Sequence, residues 1–321
     1  MKEQSAGGAM RRAPARWRAI GIVLVVLAVI ASTGAHGAAQ VYRKGDYQFE
    51  VAPAAAWVVP HEVAATWDPA APGAAGARWR NWLSDIQVDR RGGRRERYID
   101  AAYEPVSSEL TQDAGKYQIW FSPDYERLIL HRVEIRRDGV WHDRLAPEAI
   151  TLARRESAFE RDMSTGVVSA LIVLDDVRPR DVIRVAYTIS GANPVLAGSI
   201  DEEIAFGYGD PLLQKQARVL YDPDAKLIER RDRAVAQTRQ RRDARALEWS
   251  AEQRALPGLV DEGSYPAWYA AVPRITVGVE RSWADVAAWA RALYPRPAPL
   301  PADLEQRIAE WRALATPELR I

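Results

Sequence analysis

RLILHRVEIRRDGVW, residues Arg127 to Trp141, is the stretch that decides the fold. Ile129, His131, Val133 and Ile135 fall on one side of a period-two pattern, and Arg132, Glu134 and Arg136 fall on the other. That alternation describes a half-buried strand. Asp138-Gly139 then supplies the pair favoured in a tight hairpin turn, and Val140-Trp141 begin the return strand.

The same texture extends in both directions. In YQIWF (117–121), Tyr117, Ile119 and Phe121 alternate with Gln118 and Trp120. ALIVL (170–174) is a short apolar run between Gly166 and Asp175-Asp176, which favours a buried strand over a helix. In DVIRVAYTI (181–189), Ile183, Val185, Tyr187 and Ile189 share the expected core face, with Arg184, Ala186 and Thr188 opposite. ARVLYD (217–222), KLIERR (226–231) and RALEWSA (245–251) read as further strands. Short strands separated by turn signals predict a mainly-β fold, an antiparallel β-sandwich over residues 40–262. The Ala- and Pro-rich tract from Ala52 to Ala77 reads as an extended arm rather than core.

Beyond that domain the period changes. Ser282 precedes Trp283 and stands three residues before Asp285, a helix-start pattern. Trp283, Val286, Ala290 and Leu293 follow at helical spacing, and Pro295, Pro297, Pro299 and Pro301 end the run. Leu304, Ile308, Trp311 and Leu314 mark a second amphipathic helix. Residues 263–321 are therefore expected to form a short α-helical segment.

At the other end, Arg11, Arg12, Arg16 and Arg18 precede the uncharged run AIGIVLVVLAVIAS (19–32), and small residues follow. A basic start, a short apolar stretch and a small-residue exit describe a secretory signal, with an N-terminal membrane anchor as the alternative for residues 1–39. Either reading places the body of the chain in the periplasm or on the extracytoplasmic face of the membrane.

Composition narrows the chemistry. The 321-residue chain has 44 basic and 43 acidic residues, a net charge of +1. It therefore has no global field for nucleic acid, and nucleic-acid binding is set aside. There is no Cys, which excludes disulfides, thiolate metal sites and a Cys nucleophile.

Of the four His, His36 lies in the signal region and His61 in the arm, while His131 and His142 flank the hairpin. Two His without a third matching ligand read as ordinary strand histidines rather than a metal site. Asp175-Asp176 and Asp201-Glu202-Glu203 are acidic pairs of a kind glycosidases use, but beside turns they read as solvated loop ends. The Arg-rich tract from Lys226 to Arg245 is interleaved with Glu229, Asp232 and Asp243, which suits a solvated strand face better than an anionic lipid or polymer site. No G-x-S-x-G, S-x-x-K or phosphate loop is present. No catalytic, cofactor-binding or metal residue is assigned, and no cofactor is expected.

LARRESAFERDMSTG (152–166), LDDVRPRDVIRVAYTISGANPVLAG (174–198) and VERSWADVAAWARALY (279–294), with FSPDYERLILHRVEIRRDGVWHDRL (121–145) before them, resemble an uncharacterised extracytoplasmic bacterial domain. In that family the domain precedes a transglutaminase-like, or cysteine protease-like, domain. The resemblance implies a β-sandwich, followed by helices that begin the transglutaminase-like domain. Arg180 stands where the family usually has Gly.

The family's downstream enzyme relies on a Cys-His-Asp triad, with its Cys beyond the point where this chain ends at Ile321. None of those residues can be carried over. The expectation is a non-catalytic extracytoplasmic accessory or binding module, the N-terminal part of a transglutaminase-like protein, acting on a protein or polymer of the cell envelope. The alternative is a periplasmic hydrolase, either through the parent protein or through an unrecognised Ser or carboxylate site here.

Overall fold

The computed structural model describes residues 39–67, 77–154, 166–196, 201–260, 263–266, 269–294 and 299–314. The expected signal or anchor segment lies outside the described residues, apart from its last position. Among the described residues no helix is long and apolar enough to cross a membrane.

The chain is mainly β, as its alternating texture predicts. It runs through β1 (Gln40–Lys44), β2 (Tyr47–Val51), β3 (Trp79–Asp89), β4 (Glu96–Pro105), the short helix α1 (Thr111–Ala114), β5 (Lys116–Phe121), β6 (Glu126–Arg137), β7 (Val140–Asp143), β8 (Thr151–Arg154) and β9 (Val168–Val173). It continues through β10 (Val182–Gly191), β11 (Glu202–Ala205), β12 (Leu212–Tyr221), β13 (Leu227–Asp232), β14 (Gln237–Arg242), β15 (Leu247–Leu256), β16 (Arg274–Val279), α2 (Trp283–Leu293) and α3 (Ala302–Arg312).

Ten strands form one long sheet, in the order β1-β2-β6-β10-β4-β3-β12-β15-β14, with β7 paired to β6. Two three-stranded sheets, β5-β9-β8 and β11-β16-β13, make up the second layer. The sandwich is therefore one long sheet facing two small ones. Its pairing is antiparallel except at β2/β6 and β3/β12. These two joins connect segments far apart in sequence, where no tight turn fixes direction.

Cα partners across a ladder send their side chains to the same face. Tyr187, Ile99, Ile86 and Ala217 are joined by successive pairings and so share one face. Both small sheets sit on that face, over separate cores. One core gathers Leu128, Leu130, Val133, Ile183 and Val185 with Ile119 and Ile172. The other gathers Val219 and Trp249 with Ile204, Ile275 and Val277. Burying each large side chain contributes about 1.5–3 kcal/mol, so either core alone can hold its small sheet in place.

The decisive strand differs from its pattern in one respect. Ala186 pairs with Arg132 but Tyr187 pairs with Leu130, so His131 is an inserted bulge residue. The bulge reverses the phase, and the core face carries Leu128, Leu130, Val133 and Ile135 rather than Ile129 and His131. The hairpin is as expected, with φ of 51° at Asp138 and 81° at Gly139, the two positive values such a turn needs.

At β10 the opposite face of the long sheet is not open to water, contrary to the half-buried expectation for that strand. Val182 to Ser190 are buried on both faces. The cover is the arm. Gln87 Nε2 donates to Val59 O at 2.6 Å, Arg184 Nη2 to His61 O at 2.9 Å, Arg136 Nη1 to Ala64 O at 2.7 Å and Arg218 Nη1 to Trp57 O at 2.7 Å. A strand-free segment lies over a sheet only if its backbone groups find partners, and these inward polar side chains provide them.

At the C-terminal end, Ser282 and Asp285 form the expected capping box, and both helices lie where helical spacing puts them. Neither buries a residue, and Trp283 is 88% exposed. β16 lies beyond residue 262, where the sequence texture suggests a boundary. It is the central strand of a small sheet, with Ile275 and Val277 fully buried, so the β-domain includes it.

Candidate functional site

Beside β5, the edge strand of one small sheet, part of the long sheet is left uncovered. The result is a cleft of about 820 Å³, floored by β4, β3 and β10 and walled by β5. Alternation along β4 sends Arg97, Ile99 and Tyr103 towards it. β3 contributes Trp79 and Asn81, β10 contributes Tyr187, and β5 contributes Tyr117 and Gln118.

Four aromatic rings run along the cleft in sequence. Trp79 meets Tyr103 edge-on at 6.1 Å, Tyr103 stacks on Tyr117 at 6.1 Å, and Tyr117 meets Tyr187 edge-on at 6.3 Å. The Tyr103 hydroxyl donates to Ala114 O at 2.9 Å, which fixes the middle of the row. Burial raises the phenol pKa of Tyr103, Tyr117 and Tyr187 above its ordinary value.

Two arginines stand beside that row in different states. Arg95 is saturated: its Nε and Nη2 donate to Glu202 Oε1 and Oε2 at 2.8 and 2.9 Å, and Arg90 reaches the same carboxylate at 3.1 Å. Burial pushes the Glu202 carboxyl up, but these arginines outweigh it and hold it below its ordinary value. Arg97 has no such partner among the described residues. Its Nε is buried without a hydrogen bond, and burial, together with the like charge of Arg95, pulls its pKa down. An uncompensated cation at a cleft is costly unless something else meets it.

Further along the same face lies a second polar cluster. Lys215 Nζ is 3.0 Å from Ser84 Oγ and 3.1 Å from Tyr208 Oη, and the two hydroxyls are 2.9 Å apart. Lys215 is fully buried, with no carboxylate in contact among the described residues. Burial pushes the Tyr208 phenol up, but the Lys215 charge and the hydrogen bonds from Ser84 and Lys215 bring it below its ordinary value. Ser84 and Lys215 are direct partners in the β3/β12 ladder, which sets the contact.

A third cluster lies on the opposite face, beneath the arm. His61 Nδ1 is 3.0 Å from Asp85 Oδ2, and Arg184 grips Asp100. Ser84 is next to Asp85 in sequence, yet strand alternation sends it to the other side of the sheet. This Ser and this His–Asp pair cannot assemble a triad.

The residues weighed from sequence are mostly structural. Both ring nitrogens of His131 are engaged, with Ala52 O at 2.7 Å and Thr188 Oγ1 at 2.8 Å. His142 is exposed on β7. Among the described residues no group of three potential metal ligands occurs. Asp176 binds Arg137 and Arg178 at the surface, and Glu202 anchors Arg95. In the Arg-rich tract, Arg230 and Arg231 pair with Asp232 and Glu229, while Arg239, Arg241 and Arg242 occupy the exposed edge strand β14.

Arg97 and Lys215 were missed, although a signal was present. Arg97 is in phase with Ile99 and Tyr103, and Lys215 is in phase with Ala217 and Val219. A cation in register with core residues marks a buried charge.

Fold and cleft together define a mainly-β protein with a polar, aromatic-lined groove on its long sheet. The chain belongs to the family described as Domain of Unknown Function with solved-structure structure (DUF3857), whose model matches residues 91–257, just over half of the chain. That stretch includes Arg97, Tyr208 and Lys215; Trp79 and Ser84 precede it. No curated protein matches the chain. Among solved structures, a "putative protease" from Parabacteroides distasonis shares the fold, with a TM-score of 0.55 and 13% identity. The match covers 62% of this chain and 40% of that one, so this chain accounts for about two fifths of the other protein's length. At this identity the likeness is one of fold.

Proposed function

We propose that this chain is a non-catalytic, extracytoplasmic binding module that holds a cell-envelope polymer or protein segment in the cleft beside β5. It would work beside a transglutaminase-like domain in the parent protein. The observation that carries this reading is the cleft itself, open along its length, lined by a fixed row of rings and holding a half-buried arginine whose buried Nε has no hydrogen bond. Clefts of this size with a few convergent polar groups are the usual form of ligand sites. The basic and apolar N-terminus supports export, and the sequence resemblance supports the neighbouring domain. Titrating the exported body of the chain with soluble envelope glycans and peptides, followed by intrinsic Trp fluorescence, tests the reading. Trp79→Ala is expected to weaken binding by roughly tenfold or more, because the aromatic anchor is lost. Unchanged affinity in that variant would remove the cleft from consideration.

A second reading is a hydrolase, favoured by one observation, the Ser84–Lys215–Tyr208 cluster. Ser–Lys pairs serve as nucleophile and base in known acyl-transfer sites. On this reading Lys215 acts as the free amine, and Ser84 Oγ attacks an acyl carbonyl as the Lys215 nitrogen takes its proton. A fluorophosphonate probe, which loses fluoride as a serine oxygen bonds to phosphorus, would then label Ser84 in the folded chain, and Lys215→Met would abolish labelling. An unlabelled Ser84 leaves the binding reading alone in place.

A further inference from the structure

The cleft runs along the edge of β5. Lys116, Gln118 and Trp120 lie on one side of that strand and Tyr117 on the other, yet all four line the cleft. A cleft touches both faces of a strand only along its open edge. On its far side β5 pairs with β9, and among the described residues no strand pairs with the near side.

The phase of the β5/β9 ladder fixes which backbone groups turn towards the cleft. Leu174 N donates to Gly115 O at 2.7 Å, and the register that sets Lys116 opposite Val173 makes those two residues direct partners. Bonded and non-bonded pairs alternate along an antiparallel ladder. Tyr117 and Ile119 therefore exchange hydrogen bonds with β9, while the N–H and C=O of Lys116 and Gln118 point into the cleft. A strand added there lies about 4.8 Å from β5 and about 10 Å above the long sheet, so alternate side chains reach Ile99, Tyr103 and Tyr187 on the floor.

The charges of the lining are mixed, Arg95 and Arg97 with Asp113, Lys116 and Glu126, so they give no field for a uniformly charged polymer. A neutral backbone with apolar side chains matches both the mixed charge and the aromatic floor. β14, the open edge of the long sheet, carries Arg239, Arg241 and Arg242, charges of the kind that keep other strands away. β5 carries a single charge, Lys116 at its start, and no proline.

We propose that an extended peptide segment with apolar residues at alternate positions binds in the cleft by adding as a strand to β5. Main-chain hydrogen bonds to Lys116 and Gln118 supply affinity, and the aromatic floor selects the alternate side chains. This rests on the reading of the cleft as a binding site, and it names the ligand class.

A pool of blocked peptides about seven residues long, apolar at alternate positions and long enough to span β5, is titrated into the full chain beside the neutral glycan chitohexaose. Gln118→Pro removes an N–H that points into the cleft and breaks no bond to β9, a place where an edge strand tolerates proline. It should weaken peptide binding about three- to tenfold, the scale of a lost backbone hydrogen bond, while Gln118→Ala binds like wild type. The wild-type chain gives a second readout: bound peptide should slow amide exchange at Gln118, whereas Ile119 is protected with or without peptide. Undiminished peptide binding by Gln118→Pro, or unchanged exchange at Gln118 on binding, overturns strand addition and leaves the cleft as a binding site. Binding of chitohexaose alone overturns the peptide but keeps the cleft. No binding by either class overturns this proposal and counts against the binding reading as well.

Discussion

Arg184 closes on Asp100 with two prongs, Nη2 to Oδ2 at 2.6 Å and Nε to Oδ1 at 2.9 Å, both side chains almost fully buried beneath the arm. The pair sits on the face of β10 that alternation alone would assign to water. Removing one partner strands a buried charge, so Asp100→Ala or Arg184→Met should each cost about 3–5 kcal/mol in urea unfolding. The double change Asp100→Leu with Arg184→Met should recover most of that loss. Single variants within 1 kcal/mol of wild type would mean that water reaches this face, with the arm lifting away in solution.

Arg180 has a φ of 73°, in the turn before β10, and its side chain is exposed with no hydrogen bond or ion pair among the described residues. The left-handed region costs a side-chain-bearing residue about 1–2 kcal/mol. Glycine there gives back part of the gain through its freer unfolded chain. Arg180→Gly should therefore stabilise by about 0.5–1 kcal/mol net. Arg180→Ala, which keeps the Cβ, should give no gain, and paired chemical melts would read the difference directly.

His61 ties the arm to the sheet through Asp85, and this contact should depend on pH. The hydrogen bond that His61 donates to the Asp85 carboxylate raises the His61 pKa, burial opposes it, and the charges of Asp85, Asp100 and Glu252 add to the rise. A histidine whose folded pKa is raised contributes stability that is fully present below its unfolded value near 6.5 and is lost as pH climbs through the folded value. Wild type should therefore exceed His61→Gln in stability at pH 6 and approach it by pH 9. Amide exchange in residues 52–67, corrected for intrinsic rates, should report the same loss of protection. A constant difference across that range would mean that His61 acts through packing alone.

The second core needs β16, because Ile275 and Val277 sit at its centre. A chain cut after Pro257 should lose the β11-β16-β13 sheet and become sensitive to protease around β12 and β15. A chain cut after Glu280, which keeps β16 and removes both helices, should unfold at nearly the same urea concentration as the full chain, since neither helix buries a residue. If that second cut collapses the fold, the helices are part of its core.

The sequence by itself determined the mainly-β class, most of the strands, the Asp138-Gly139 hairpin and the Ser282 helix start. Each of these is a local matter: period two, paired positive φ and a capping side chain act within a few residues. It even placed the glycine-demanding turn at Arg180, through a family resemblance. Tertiary structure decided the rest. A single inserted residue at His131 reverses which face of β6 is buried, and only the pairing with β10 reveals it. The covering of β10 on both sides depends on an arm more than a hundred residues earlier, docked by side chains that alternation would assign to solvent. The cleft exists because the small sheet that ends at β5 leaves part of β4, β3 and β10 bare beside it. Arg97, Lys215 and Ser84 acquire their chemistry from that placement, since what surrounds a buried charge is set by the strands beside it rather than by its neighbours along the chain.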